Sequence, residues 1–180
     1  MSSLKAAYLN ELYKISKRKK IVVAAILSVA AIGIAGLIVS SLKNFAGINV
    51  VGSSEFAILV LSVLNYTLLP LFTAFICIDM FSSEFVEQTI KMTLTRPVSR
   101  FLVYLSKVLA AATFILANLL FVMLLSLILS VMIGGSQLSL SDVIGAYLSS
   151  FFPLMVLALM VMFIANLTRG TVSAFMLSVL

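Results

Sequence analysis

Few residues in this chain are equipped for chemistry, and half of its six acids stand close together. The stretch DMFSSEFVEQTIKMTLTRPVSR, residues 79–100, holds Asp79, Glu84 and Glu87, followed by Lys91, Arg96 and Arg100. Long apolar runs flank it on both sides. Ser83 is placed to cap a helix whose first turn carries Glu84 and Glu87, and carboxylates favour the positive end of a helix dipole. Glu87 and Lys91 stand at i,i+4 in the favourable order. Glu84, Glu87, Gln88 and Lys91 form one polar face, while Phe85, Val86, Ile90 and Met92 line much of the rest. Pro97 ends the helix by disfavouring α geometry at Arg96, and Arg100 opens the next apolar run at headgroup level. The expectation is a short amphipathic helix pressed beneath a membrane.

Elsewhere the chemistry is sparse. The chain has no histidine, so the usual general base and the commonest metal ligand are both missing. Asp79 and Asp142 fall at the ends of apolar runs, and no carboxylate lies near the middle of one, so no proton or sodium relay of the usual kind can be drawn. No G-x-x-x-x-G-K-[ST] phosphate loop occurs. The single cysteine, Cys77, lies within an apolar run and reads as a small packing residue. The expectation is a protein with no catalytic, cofactor-binding or metal site of its own, and no visible energy source.

The elements that must position the charged stretch are set by composition. Of the 180 residues, 63% are hydrophobic and 10% charged. Soluble domains carry about 25% charged residues, so lipid is the solvent here. The net charge of +6 lies mainly at the ends of apolar runs, where cations orient membrane proteins, and this argues against a nucleic-acid partner. The expected fold is all-α: a polytopic transmembrane helical protein forming a single domain over 1–180. Spans are expected at about 21–41, 56–78, 101–133 and 143–165. The third is about 50 Å long, too long for one perpendicular crossing, so its first turns should lie at the cytoplasmic interface with Lys107 snorkelling to the headgroups. A further run from 171 opens a fifth span that ten residues cannot complete, which predicts that the natural protein continues. Lysine and arginine place the N-terminus, the 79–100 stretch and Arg169 in the cytoplasm, with Lys43 alone outside.

Residues 1–20 should form an amphipathic helix lying on the inner leaflet. Leu4, Tyr8, Leu12 and Ile15 face the lipid; Lys5, Glu11, Lys14 and Arg18 lie largely on the other side. Within the spans, Asn65 and Asn118 are polar, and Pro70 and Pro153 interrupt their helices. These four are candidates for a translocation path or hinge, although ordinary interhelical packing would use the same residue types. Ala24, Ser28, Ala31 and Ala35 make a small-residue stripe on the first span, suited to close packing within a subunit or across a dimer.

The order of residues sharpens the reading. The pattern E-x-x-E-Q-T-I-K-x-x-L-x-R-P-V-S-R-x-x-x-x-x-S-K, from Glu84 to Lys107, resembles the first cytoplasmic loop of ABC-2 type permeases, the membrane subunits of bacterial ATP-binding cassette exporters. The basic segment LNELYKISKRKK before the first span is similar to that family too, and the likeness covers essentially the whole chain. Family members often carry glycine before the threonine, where Gln88 stands here. The resemblance implies six spans per subunit, a second permease subunit (identical or not), and a separate cytoplasmic ATPase that holds ATP and magnesium. It also implies that Glu84, Phe85, Glu87, Gln88, Thr89 and Lys91 belong to a coupling helix that docks on the ATPase. Arg96, Pro97, Arg100 and Lys107 would anchor the loop to the third span. The expected function is the permease subunit of an exporter in the bacterial cytoplasmic membrane, not an enzyme itself. An intramembrane enzyme, or a membrane scaffold or sensor whose loop helix binds another partner, are the alternatives. The transported substrate is not legible.

Overall fold

The computed structural model describes residues 2–17, 19–46, 53–86, 100–132, 139–168 and 171–179. These form seven helices and, among the described residues, no strand: α1 Ser2–Ser16, α2 Lys19–Ala46, α3 Ser53–Tyr66, α4 Leu68–Val86, α5 Arg100–Met132, α6 Leu140–Leu167 and α7 Thr171–Val179. Helices α2, α5 and α6 are each long and apolar enough to cross a membrane. The protein is thus an all-α polytopic membrane protein. Helix α5 is unbroken over its 33 residues, about 50 Å at 1.5 Å per residue.

The predicted second span is not one straight rod. Glu55–Tyr66 and Leu68–Met80 pass as a spanning pair only together, bent by 45° at Thr67. Pro70 explains the bend, because it has no N–H to offer the Tyr66 carbonyl and its ring crowds that group. The backbone tightens locally instead, with the Thr67 N–H donating to the Leu64 carbonyl (3.3 Å) and its hydroxyl to the Val63 carbonyl (2.7 Å). Pro153 behaves differently from expectation. It lies exposed inside the continuous helix α6 and does not interrupt it. Membrane helices tolerate an interior proline, and the one donor it removes is absorbed without ending the helix.

Helix α5 is the hub, packing against α1, α2, α3, α4 and α6. Its buried line, Ala111, Ile115, Leu119, Val122, Ser126 and Ser130, recurs at three and four residues, as one helix face must. In lipid there is little hydrophobic gain from helix association, so close approach of small residues carries the packing. Helix α2 follows the same rule. Ala24, Ser28, Ile32 and Gly36 are its buried line, with Ala31 and Ala35 partly buried against the core. A methyl group on Gly36 would sit 3.7 Å from a Leu129 methyl, so the small-residue stripe serves contact with α5 in the same chain. Val22, Ile26 and Leu37 of α2 remain exposed, as lipid-facing residues should. Cys77 is buried in the core and acts as packing.

One end of the bundle is pinned by Tyr147 of α6. Its hydroxyl lies 3.0 Å from the Ser126 hydroxyl of α5 and donates to the Ala57 carbonyl of α3 at 3.3 Å. The other end is held by charge.

Candidate functional site

At the α1 end of the bundle, four charged side chains cross between helices. Lys20, near the start of α2, meets both carboxylate oxygens of Asp79 on α4, at 2.8 and 2.7 Å. Lys107 of α5 is 2% exposed; its ammonium donates to the Met80 carbonyl of α4 at 2.8 Å and lies 3.5 Å from the Glu11 carboxylate of α1. Glu11 is itself only 7% exposed and also receives Lys14, three residues on, at 3.4 Å. The Lys20 ammonium additionally stands 5.8 Å from the centre of the Phe75 ring, which stacks on Phe175 of α7 at 4.7 Å. Helices α1, α2, α4, α5 and α7 are therefore joined in one belt.

A buried ammonium is tolerable only where hydrogen-bond acceptors and a counter-charge replace its water, and Met80 and Glu11 supply both. Two expectations are corrected here. Lys107 does not snorkel to the headgroups, because nearer acceptors inside the protein satisfy it. Glu11 does not lie on the polar side of α1 but faces α5. The signal was present in the spacing, since Glu11 follows Tyr8 by three and precedes Ile15 by four, so it shares their face. Helix α1 accordingly packs on α5, while Lys5, Leu9, Tyr13 and Lys17 form its exposed line.

Beyond the belt, α4 continues for about 9 Å from Met80 to Val86, and α5 begins about 10 Å before Lys107. Glu84 and Phe85 belong to the last turn of α4. The helix passes unbroken through Ser83, so this residue caps no new helix; nothing between Phe72 and Val86 has the backbone chemistry to stop α4. Glu87, Gln88, Thr89, Lys91, Arg96 and Pro97 lie outside the described residues, as does the rest of the predicted loop helix. Arg100 is the first residue of α5. The belt thus ties α4 to α5 about 10 Å short of the two ends that flank residues 87–99.

The candidate path residues are not gathered in one place. Asn65 is half-buried beside the bend that Pro70 creates. Asn118 lines a cleft between α1, α2 and α5, and Pro153 is exposed on α6. Tyr66, next to Asn65, is 87% exposed.

A helical bundle with three helices long enough to span, a bent fourth span and a buried ionic belt is a polytopic membrane domain. Residues 9–180 match the family described as ABC-2 family transporter protein. The chain belongs to this family, whose membrane domains are ABC transporter permeases. No curated protein and no solved structure matches the chain.

Proposed function

We propose that this chain is the permease subunit of an ATP-driven exporter, coupled through residues 84–91 to a separate ATPase that binds ATP and magnesium. The observation that carries this reading is the Lys107–Met80 hydrogen bond of 2.8 Å, which ties α4 to α5 about 10 Å from the ends that flank residues 87–99. A push on residues 87–99 would be passed to both helices at once, through Asp79 to α2 and through Glu11 to α1. The bend at Thr67, beside half-buried Asn65, is the hinge that such a push would work. Two permease subunits would enclose the path, with exposed Tyr66 facing the second. The subunit sits in the bacterial cytoplasmic membrane with its N-terminus in the cytoplasm.

The double change Glu84→Lys with Glu87→Lys tests the coupling. Docking through exposed carboxylates contributes about 1 kcal/mol each, and through desolvated ones about 2–5 kcal/mol. Co-purification of the ATPase with the permease should fall at least fivefold while membrane insertion is unchanged. Wild-type co-purification would leave the loop without its assigned role. For orientation, cysteines at Ser53 and Ser136 in a Cys77→Ser background should react with impermeant thiol reagents on intact cells. A cysteine at Ser99 should react only after the membrane is opened. Labelling of Ser99→Cys from outside would reverse the topology.

A further inference from the structure

Between α1, α2 and α5 lies an open cleft of about 370 Å³, a size in the range of small-molecule sites. Its walls are Leu12 and Ile15 of α1, Ile21 and Ala25 of α2, and Phe114 and Phe121 of α5. Two of its hydroxyl groups turn away from any ligand. Ser16 donates to the Tyr13 carbonyl at 3.0 Å, and Thr113 to the Ala110 carbonyl at 2.8 Å. The wall is therefore hydrocarbon down to Asn118. Along α5, Thr113 lies about 9 Å and Phe121 about 21 Å from Lys107. With a hydrocarbon core of about 30 Å, the cleft opens on the α1 side and reaches past the middle of the core.

The mouth of the cleft is basic. The chain between the lining residues Ser16 and Ile21 carries Lys17, Lys19 and Lys20, all exposed. Lys20 is turned to Asp79 and Phe75 of α4, so Lys17 and Lys19 are the cations left to face a ligand at this rim. An apolar slot that opens toward the headgroups on the α1 side, with cations at its rim, complements one kind of molecule. We propose that the cleft binds an anionic phospholipid from the leaflet on the α1 side, its phosphate against Lys17 and Lys19. One acyl chain would run along Phe114 and Ala117 to Phe121. Because Leu12 and Ile15 flank Glu11 on α1, the bound chain would also brace the helix that holds Lys107.

The chain contains no tryptophan, so a single introduced indole reports on its own surroundings. Phe121→Trp places it in the cleft at a 37% exposed position; Phe163→Trp places a control on the 64% exposed surface of α6. The full chain is reconstituted in bilayers containing brominated phosphatidylglycerol or brominated phosphatidylcholine, and quenching is read. Attraction of about fivefold per lysine is expected at an anionic surface. With two rim lysines, phosphatidylglycerol should therefore outcompete phosphatidylcholine by about five- to twenty-five-fold at Phe121→Trp and by less than twofold at Phe163→Trp. Lys17→Gln with Lys19→Gln should bring the cleft preference below twofold. Asn118→Leu should strengthen quenching in the cleft, since an acyl chain gives that amide no partner. The proposal is overturned by equal quenching from both lipids in the cleft, or by the same preference at both indoles. It is overturned equally by an indole at 121 that neither lipid reaches, the sign of a protein cover, or by loss of binding in Asn118→Leu.

Discussion

Replacing Lys107 by methionine should lower the stability of the membrane domain by about 3–5 kcal/mol, the usual cost of removing one partner from a buried ion pair. The change leaves the Glu11 carboxylate, 7% exposed, without its interhelical counter-charge and takes the donor from the Met80 carbonyl. Lys14 still reaches Glu11, but from the same helix, so it cannot tie α1 to α5. Thermal unfolding of the purified chain in mild detergent measures the loss. The paired change Glu11→Leu with Lys107→Met should recover most of that stability, because apolar replacements remove the stranded charge as well. It should not recover coupling to the ATPase, since the α4–α5 hydrogen bond at Met80 is still missing. A Lys107→Met protein within about 1 kcal/mol of wild type would mean that the belt is not a structural tie.

Pro70→Ala should have the opposite effect on stability and an equally large one on activity. Alanine restores the N–H that the Tyr66 carbonyl lacks and removes the ring that crowds it, so α3 and α4 can join into one straight span. A proline inside a helix costs about 3 kcal/mol, and relief of part of that should raise the unfolding temperature. If the 45° bend is the hinge, permease-dependent ATP turnover should fall at least tenfold in the straightened protein. Unchanged turnover in a more stable protein would make the bend a packing feature only. Pro153→Ala is the control: α6 is continuous through that residue, and turnover should stay within twofold of wild type.

Much of this architecture could be read from residue order, for physical reasons that also explain what was missed. Apolar run length reports on helices directly because a bilayer leaves the backbone few alternatives. Helices α2, α5 and α6 accordingly cover the stretches expected to span. Pro70 was legible as an interruption, but not the position of the bend, which falls at Thr67 because proline acts on the carbonyl four residues before it. Pro153 carries the same local chemistry without the same outcome, since tertiary packing decides whether a lost donor bends a helix. The ionic belt was the least legible part. Lys107 in an apolar run is compatible with snorkelling or with a buried partner, and only the tertiary pairing with a helix 96 positions earlier decides between them. Charge in Ser83–Glu87 likewise suggested a new helix start, whereas α4 simply continues to Val86.

The measurement that bears most directly on the coupling role is site-specific crosslinking in intact membranes that contain the permease and its ATPase. A photoreactive side chain at Gln88 should capture the ATPase, and one at Ser136, between α5 and α6 in the sequence, should not. Capture at Gln88 should fall at least fivefold when Glu84 and Glu87 are both changed to lysine, in step with the loss of co-purification. No capture from Gln88 in a permease that is normally inserted, or equal capture from Gln88 and Ser136, would contradict the assignment of this loop as the contact that drives transport.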